Sequence, residues 1–478
     1  MTTYLGDVET YQTPDRGRGV TCTSDTKKGT TLLKEECIAC VLCSNVRGSY
    51  CDHCLLPGYD QLMRCSGCKF ARYCNKKCQK NAWIDHKEEC KGLKRVAPNI
   101  PTDTVRLLAR IMHKNRRTPK PVPSIDDKNF PLTIDQLQGD VEKMVEQRRE
   151  DMGAIFFVLE KFLGGDLLGY TTADILRLFV VVEINGFHLF DHELKNIGYA
   201  LYQRASMVNH HCEPNCLVVF EGSVLEVRTL QDLKKGDELL ITYIETLATT
   251  ERRRDMLMEQ FRFHCMCRKC EDPYSDQVLR CILCPKCSCN GHLKNVSDGT
   301  ARCSLCGLER STTDALWEKF TAAEEKAETL LASANEHRSE EKWRDMLLCA
   351  EKCLELPYLH PSHFAMLRAR NVAMDAHIEL QNWQEALTYG EDNLEAYRHQ
   401  YQFNHPSVGV QLMRVGKLYN YLGKVSEALQ MFKQAMDIIG VTHATEHPLR
   451  QALSELLISC QMELRGSIMS SITGSDIT

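Results

Sequence analysis

The sequence lacks any apolar run long enough to cross a membrane, and it lacks an excess of positive charge. Lys and Arg number 59 against 64 Asp and Glu, which leaves a net charge of −5. A membrane span needs about 20 consecutive apolar residues, so we expect no membrane association. A net acidic chain has no general attraction for nucleic acid. The first ten residues, MTTYLGDVET, contain neither a basic nor an apolar stretch of the kind that begins a secretory signal. We therefore expect an intracellular protein, in cytoplasm and nucleus.

Length and composition predict several folded domains. At about 150 residues per domain, 478 residues correspond to roughly three domains. The hydrophobic share of 43% and the charged share of 26% are typical of a globular protein. Bulk disorder is therefore not expected.

Cysteine is the informative residue type. The chain has 25 cysteines, concentrated between residues 37 and 90 and between 265 and 306, while the region beyond holds only Cys349, Cys353 and Cys460. Thiols in a reducing compartment rarely form disulfides. The distribution therefore predicts metal binding in the first two thirds of the chain.

The first cysteine cluster contains four pairs of metal-type ligands, separated by two, two, three and three residues. Eight ligands suffice for two tetrahedral zinc sites. Interleaved pairing gives one site of Cys51, Cys54, Cys74 and Cys78 and another of Cys65, Cys68, His86 and Cys90. A module of about 40 residues has too small a core to fold without metal, so chelation should unfold it. Buried cysteines without metal are the alternative.

With Tyr73, Gln79 and Trp83 in the run RYCNKKCQKNAWIDHKEEC, this cluster resembles the MYND zinc finger. The resemblance implies docking of proline-rich peptides. Upstream, Cys37, Cys40 and Cys43 also have metal-like spacing, but we interpret CIACVLC as a buried strand because the later ligands already complete two sites.

A second pattern lies on both sides of the finger. RGRGV at 16–20 precedes KKGTTLLKEE, and SMVNHHCEPNC precedes a stretch in which LEVRTL and ELLITY are the clearest strand candidates. The early Gly-x-Gly, the Asn-His before Cys-x-x-x-Cys, the Gly-Asp-Glu-Leu turn and the strand ending in Tyr243 together resemble a SET domain. The whole chain is therefore similar to the SET and MYND domain-containing protein lysine methyltransferases.

That resemblance implies transfer of a methyl group from S-adenosylmethionine to a lysine of a histone or non-histone protein. We predict an α+β multidomain fold with a split SET β-fold, an inserted MYND finger, a post-SET zinc site and an all-α tetratricopeptide-like C-terminal domain. Two alternatives remain: a catalytically weak adaptor or transcriptional scaffold, and a zinc-dependent nucleic-acid binder. The second is disfavoured by the acidic charge and by fingers without a recognition helix.

The resemblance also implies residue roles. It gives Tyr243 as the catalytic tyrosine, beside the transferred methyl group, and it gives Phe187 and Phe261 as walls of the lysine channel. The residues that it assigns to the cofactor are Arg16, Gly17, Arg18 and Gly19 in an early loop, with Asn185, Ser206, Asn209, His210, Tyr243 and Phe263. For the single phenylalanines, core packing is the alternative.

A third zinc site is implied by Cys265, Cys267 and Cys270, with Cys212 as the fourth ligand. In the family this site builds one wall of the lysine channel, so loss of that zinc should abolish activity. Two residues depart from the usual pattern: His211 could crowd the cofactor loop, and Arg262 could alter substrate preference.

Beyond the family pattern, Cys284, Cys287, Cys303 and Cys306 form two Cys-x-x-Cys pairs with fifteen residues between them. This spacing predicts a zinc ribbon and a fourth zinc ion, with Cys281 and Cys289 as alternative ligands. The ribbon could offer a docking surface, but we favour a self-supporting clasp.

After Thr313, helical periodicity dominates. NWQEALTYGEDNLEAY and KVSEALQMFKQAMDII align Ala386 with Ala428, and WRDMLLCAEKCLEL is a weaker copy. His-Pro pairs at 360, 405 and 447 mark turns before helical pairs. These features predict tetratricopeptide-like hairpins, which offer a candidate partner surface or serve as a structural buttress.

We therefore divide the chain into seven segments and expect a monomer. Residues 1–48 and 183–248 form the SET halves, 49–92 the finger, 93–182 a helical insert, 249–275 the post-SET segment, 276–312 the ribbon and 313–478 the helical repeats. Within the insert, HKNRRTPKPVPSIDD at 113–127 predicts an exposed basic loop, and 131–182 is mostly helical.

Overall fold

A computed structural model describes residues 3–13, 16–58, 62–117, 130–131, 133–143, 146–286, 291–296, 299–401 and 404–473. The chain forms two compact units. Unit 1 comprises Met1–Tyr243 and Met256–His264, and unit 2 comprises Ile244–Asp255 and Cys265–Thr478.

Unit 1 carries the β-structure predicted on both sides of the finger. Its strands are β1 Tyr4–Leu5, β2 Val8–Thr13, β3 Gly17–Cys22, β4 Thr31–Glu36, β5 Ala39–Leu42, β6 Met63–Arg64, β7 Arg72–Tyr73, β8 Gly186–Phe190, β9 Asn196–Leu201, β10 Asn209–His210, β11 Cys216–Glu221, β12 Val224–Thr229 and β13 Leu240–Ile241. Its helices are α1 Lys76–Val96, α2 Asp103–Arg117, α3 Glu146–Leu163 and α4 Thr172–Asn185, and α5 Thr250–Phe261 continues into it from unit 2.

Strands from before and after the finger pair with each other. One sheet has the order β1-β4-β12-β11 and a second has the order β5-β9-β8. In both, neighbouring strands are antiparallel, and β4 and β5 pair with β12 and β9. The two sequence-distant halves therefore form one β-core, as a split SET fold requires.

Two strand predictions need correction. ELLITY forms only the two-residue strand β13, which is parallel to β10. The Asn215 side chain accepts the hydrogen bond of the Leu240 N–H at 2.9 Å. The segment Arg16–Gly19 is a loop only at its start, because Gly17–Cys22 form β3, antiparallel to β2. Val20 and Cys22 are buried in alternation along β3, which is the burial pattern of a strand.

The insert between finger and second SET half is helical, as predicted. Apart from short 3-10 turns at Ile134–Gln136 and Val141–Lys143, its described regular structure is α2, α3 and α4. Residues 113–117 of the predicted basic loop belong to the end of helix α2, which is a correction; residues 118–127 lie outside the described residues. Arg117 donates to Asp85 at 2.6 Å, so this basic end pairs with the finger helix α1.

Unit 2 begins its helical region where periodicity predicted it. After the short helix α6 Arg268–Glu271, its helices are α7 Ala315–Ser339, α8 Trp343–Leu354, α9 Phe364–Glu379, α10 Trp383–Gln400, α11 Pro406–Tyr421, α12 Val425–Thr442 and α13 Pro448–Thr473. The aligned residues Ala386 and Ala428 are both fully buried. Small side chains at these positions allow neighbouring helices to approach closely.

Histidines begin three of these helices. His405 and His447 precede the prolines that open α11 and α13, as the His-Pro pattern predicts. At the first pair, Pro361 lies in a turn as predicted, and α9 begins three residues later, at Phe364. His363 caps it by accepting a hydrogen bond from the Ala365 N–H.

The ribbon segment forms a four-stranded antiparallel sheet in which the strands lie side by side in chain order. The strands are β14 Ile282–Leu283, β15 His292–Val296, β16 Thr300–Cys303 and β17 Glu309–Ser311. Ile282, Leu293 and Ala301 share a hydrophobic core with Phe320 of α7. The Leu283 N–H donates to the carbonyl of Tyr358, between α8 and α9, at 2.8 Å. The ribbon therefore packs onto the helical repeats of unit 2.

Over the described residues, none of the helices has the length and apolarity that a bilayer crossing requires.

Candidate functional site: an aromatic cluster and cysteine clusters

Tyr243 lies just after β13, in an aromatic cluster of unit 1. Its ring centroid is 4.8 Å from that of Phe261, 5.3 Å from His210 and 6.4 Å from Phe263, the last in an edge-to-face arrangement. Such separations are those of favourable aromatic pairs. The structure thus brings together four residues that the sequence assigned to catalysis, cofactor and channel.

The Tyr243 hydroxyl has a defined hydrogen-bond direction. It donates to the carbonyl of Val208 at 2.7 Å. Burial and the Glu238 carboxylate raise the pKa of Tyr243, so the phenol keeps its proton at neutral pH. A phenol has only one proton, so the remaining lone pairs of this oxygen can only accept hydrogen bonds from a ligand.

His210 connects the tyrosine with Cys212. Its Nδ1 accepts from the Tyr243 N–H at 3.0 Å, and its Nε2 lies 3.3 Å from the Cys212 Sγ. An Nδ1 that accepts leaves the proton on Nε2. His210 therefore presents a donor to Cys212, as suits a thiolate.

Arg262 lies between two phenylalanines that pack on Tyr243. It has φ 63°, in the left-handed region, and its guanidinium lies 3.4 Å from the Glu183 carboxylate. This left-handed residue separates Phe261 and Phe263, whose rings both pack on Tyr243. Arg262 itself is bound to Glu183, a residue that sequence reasoning missed.

His211 makes a local hydrogen bond to the backbone, and its effect on the cofactor loop stays a prediction. The His211 Nδ1 accepts a hydrogen bond from the Glu213 N–H at 2.9 Å. A serine or asparagine makes the same bond to the backbone two residues on in an ST- or Asx-turn. The His211 imidazole therefore accepts the same backbone hydrogen bond that a serine or asparagine would accept at this position.

Glu238 organises the predicted cofactor residues and was not singled out from the sequence. Its two carboxylate oxygens accept from the Asn209 side-chain amide at 2.9 Å and from the Arg16 guanidinium at 2.5 Å. A β-carbon added to Gly19 would lie 2.9 Å from Glu238 Oε1 and 3.1 Å from Asn209 Nδ2. A larger residue at this position would have to displace the Glu238 carboxylate or the Asn209 amide. The signal was present in the Gly-Asp-Glu-Leu turn, but its partner Arg16 is 222 residues away.

The remaining predicted residues have other partners. Asn185, buried at the end of α4, donates to the carbonyls of Gln138 and Val181. Ser206 donates to the Gln203 carbonyl at 3.0 Å, and Phe187 packs edge-to-face on Tyr202 at 5.6 Å. Arg18 donates to the Gln136 carbonyl at 2.5 Å, and Gly17 has φ +80° with nothing within 4 Å of an added β-carbon.

The eight finger ligands form the two groups that the spacing predicted. Within each group the ligand atoms lie within 4.8 Å of one another; the groups are Cys51, Cys54, Cys74 and Cys78, and Cys65, Cys68, His86 and Cys90. Four thiolates, or three thiolates and an imidazole, are donor sets that zinc prefers. Both groups therefore fit zinc.

The knuckles show why these pairs converge. After Cys51-x-x-Cys54 and Cys65-x-x-Cys68, the next residues Leu55 and Lys69 have positive φ, and each donates its N–H to the carbonyl of the first cysteine. This tight turn aims both sulfurs to one side.

Behind the finger ligands lies a buried charge network. The His86 Nδ1 is 3.1 Å from Glu89, whose carboxylate accepts from Arg106 at 3.0 Å and from Arg110 at 2.6 Å. Although burial opposes it, the two guanidiniums hold the pKa of Glu89 well below its usual range. A carboxylate on the second nitrogen of a ligating histidine orients the ring. Glu89, three residues after His86 on α1, was also missed.

The cysteines of the predicted third site are divided between the units. Cys265, Cys267 and Cys270 lie in unit 2, with their sulfurs within 4.8 Å of one another. The Arg253 guanidinium donates to the Cys270 Sγ at 3.6 Å. Cys212 lies in unit 1, so its place as the fourth ligand stays a prediction.

The ribbon has a ligand group of its own. The sulfurs of Cys284, Cys303 and Cys306 lie within 4.8 Å of one another, while Cys287 and the alternative Cys289 lie outside the described residues. After Cys303-x-x-Cys306, Gly307 has φ +70° and donates its N–H to the Cys303 carbonyl at 3.3 Å. This turn repeats the two finger knuckles, so the group fits zinc. The other alternative, Cys281, instead donates to the Val278 carbonyl at 3.0 Å.

Comparisons with known proteins agree with this architecture. A family model described as MYND finger matches residues 51–90. Human "Histone-lysine N-methyltransferase SMYD3" is 32% identical over 466 residues, which cover 96% of this chain and 99% of that protein. Human "N-lysine methyltransferase SMYD2" is 29% identical over 93% of this chain and 96% of that protein, and ASHR1 of Arabidopsis thaliana is 28% identical over 94% of each. A solved SET domain of LSMT, bound to lysine and AdoHcy, aligns with 83% of this chain and 89% of its own at 12% identity and a TM-score of 0.32.

The identity with SMYD3 extends over both units and nearly the full length of that relative. The chain therefore belongs to the family of SET and MYND domain-containing protein-lysine N-methyltransferases, zinc-containing enzymes that use S-adenosylmethionine.

Proposed function

We propose that Tyr243 is the catalytic residue of this methyltransferase and that the aromatic cluster around it is the transfer site. The observation that carries the proposal is the Tyr243 hydroxyl, whose proton is directed to the Val208 carbonyl while three aromatic rings surround the phenol. Proteins with accessible lysines are the substrates, and histones are candidates because relatives are named for them.

The residues fit the cofactor chemically. S-adenosylmethionine, when bound, supplies a methyl group on a positively charged sulfur, which needs alignment more than acid catalysis. The Asn209 amide, the Arg16 side chain and the space kept open at Gly19 form the polar side of the site around Glu238. Phe263, which also packs on His210 at 6.0 Å, offers an aromatic face for adenine. Arg18, Gly17, Asn185, Ser206 and His210 complete the proposed cofactor set.

The protein's own part in the reaction is to hold the lysine amine neutral and aligned. A free lysine has a pKa of about 10.4 and is mostly protonated at neutral pH. Aromatic walls disfavour the charged form by desolvation, and we assign that role to Phe261 and Phe187. The Tyr243 oxygen then accepts a hydrogen bond from the neutral amine. Tyr243 is not the base, because its raised pKa keeps it protonated.

We further propose that Cys212 joins Cys265, Cys267 and Cys270 in a third zinc site. Support comes from each unit separately: His210 presents a donor to the Cys212 sulfur, and the three other sulfurs already converge. The proposal also includes proline-rich peptides at the finger, a protein partner at the helical repeats, a monomeric state and a location in cytoplasm and nucleus.

The test compares the wild type with Tyr243→Phe. The variant keeps the ring packing and loses only the hydroxyl, so we expect methyl incorporation from labelled S-adenosylmethionine into lysate proteins to fall roughly 100-fold or more. The heat of binding of S-adenosylhomocysteine should change little. Equal incorporation by both proteins would reject the assignment of Tyr243, and equal background without binding heat would favour an adaptor.

A further inference from the structure

Two cysteines that bind no predicted zinc line a cavity of unit 1. The cavity, about 120 Å³ in volume, is lined by Cys37 and Cys40 together with Asp52, Arg110 and Lys114. Both cysteines are partly exposed and free. The chain bends at Ile38 between β4 and β5, and both residues of this Cys-x-x-Cys pair line the same cavity.

Each thiol is the largest influence on the pKa of the other. Cys37 lowers the pKa of Cys40 although burial opposes it, and the positive charges of Arg110 and Lys114 act in the same direction as Cys37. Cys40, together with burial, raises the pKa of Cys37 well above its usual value. Cys40 therefore loses its proton more readily than Cys37, and unequal thiols of this kind are found in reactive dithiols.

A metal site does not explain the pair. Across the part of the chain that the structure describes, four groups of three or more metal-type ligands converge, and neither Cys37 nor Cys40 belongs to any of them. Two thiols alone do not complete a tetrahedral zinc site. The interpretation of CIACVLC as a strand holds for β5, but Cys37 precedes the strand and faces the cavity.

We propose that Cys37 and Cys40 form a redox-active dithiol that a hydroperoxide converts to a disulfide. In the first step the Cys40 thiolate attacks a peroxide oxygen, an S–O bond forms, the O–O bond breaks, and hydroxide leaves and takes a proton to become water. In the second step the Cys37 sulfur attacks the Cys40 sulfenic acid, the S–S bond forms, and the S–O bond breaks with release of a second water. Two thiols are oxidised by two electrons and hydrogen peroxide is reduced to two waters.

The experiment uses the full-length, zinc-loaded protein exposed to hydrogen peroxide. After quenching with an alkylating reagent and digestion with trypsin, the fragment 35–47 contains Cys37, Cys40 and Cys43 and reports all three thiols. We expect a fragment that has lost two hydrogens, with Cys43 alone alkylated. Zinc release, followed in parallel with a metal indicator, should remain at its background level.

Substitutions test the separate roles of the Cys40 sulfur, which attacks the peroxide, and the Cys37 sulfur, which completes the disulfide. Cys37→Ser should trap a sulfenic acid on Cys40 that dimedone labels, and Lys114→Met should slow oxidation several-fold because it removes a charge that favours the thiolate. Cys43→Ser is the matched control, because Cys43 lies just after the same strand and burial raises its pKa; it should leave the disulfide unchanged.

Two results would overturn the proposal. One is full alkylation of Cys37 and Cys40 at peroxide levels that already oxidise zinc ligands. The other is a disulfide or sulfenic acid that forms first at Cys43. Should Cys37→Ser fail to fold, the wild-type fragment alone still decides between these results and the expected one.

Discussion

Glu238 fixes two of the proposed cofactor residues through one carboxylate. Its bond to the Asn209 amide is between partly buried groups, whereas its ion pair is with Arg16, whose side chain is 44% exposed. Exposed ion pairs contribute about 0.2–1 kcal/mol, and a hydrogen bond to a charged group about 1.5–3 kcal/mol. Substitutions of Glu238 can therefore separate the contribution of the Asn209 hydrogen bond from that of the Arg16 ion pair.

We predict that Glu238→Gln weakens binding of S-adenosylhomocysteine by a few-fold and that Glu238→Ala weakens it by roughly tenfold. Glutamine keeps an acceptor for Asn209 but loses the charge opposite Arg16, while alanine loses both. Titration calorimetry measures the two affinities. Identical affinities for wild type and Glu238→Ala would show that Glu238 positions nothing that the cofactor touches.

At the residue scale, motifs singled out the proposed site side chains, but their hydrogen-bond partners could not be predicted from the sequence. Tyr243, Asn209 and His210 stand in recognisable patterns, so residue type and spacing sufficed to propose them. The Val208 carbonyl and the Glu183 partner of Arg262 are set by three-dimensional proximity. Backbone acceptors and ion pairs between distant segments leave no local pattern.

Histidine is used in this chain as a backbone cap. Besides His211, four histidines of unit 2 accept at Nδ1 from the N–H two residues on: His360, His363, His405 and His447. Each bond requires a neutral imidazole with its proton on Nε2. Protonation would therefore remove the cap.

We predict that helix α11 contributes acid sensitivity through His405. Burial, with Lys269 nearby, lowers the pKa of His405 to about 4, while an unfolded histidine titrates near 6.5. Between these values the unfolded state binds more protons, so the stability contributed by His405 is complete above pH 6.5 and is lost as pH falls toward 4. Protonation of His405 lowers the free energy of unfolding by an amount on the order of 1–3 kcal/mol.

His405→Asn tests this linkage. Asparagine keeps a cap acceptor and cannot titrate, so the difference between urea midpoints at pH 7 and pH 5, followed by far-ultraviolet circular dichroism, should shrink. The variant should be less stable at pH 7, because it loses the stacking of His405 on Tyr401 at 4.1 Å. His399→Asn, on the exposed side of α10, is the control. An undiminished midpoint difference in His405→Asn would contradict the prediction.

At the element scale, periodicity and cysteine spacing predicted most of the helices and all the knuckles that are described. The length of ELLITY was overestimated, because only Leu240 and Ile241 form a strand. The exact start of α9, with His363 as its cap, was also not predicted, because either His360 or His363 could have capped it.

For the whole molecule, the donor sets predict about four zinc ions per chain. We expect Cys303→Ser to lower the count to about three, because the ribbon loses one of its converging sulfurs while both finger groups remain. Elemental analysis against protein concentration measures the count. Cys353→Ser, a buried cysteine of α8 outside these ligand groups, should leave it unchanged. A wild-type count of three would remove the ribbon from the zinc sites.

The pairing of β4 with β12 places Lys34 opposite Glu226, which lies 192 positions further along the chain. During synthesis the first strands therefore leave the ribosome long before their partners exist, while the finger can already close around its metal. Unpaired strand edges are prone to aggregation. Nascent chains stopped before residue 216 should consequently depend on chaperones in a way that the finished enzyme does not.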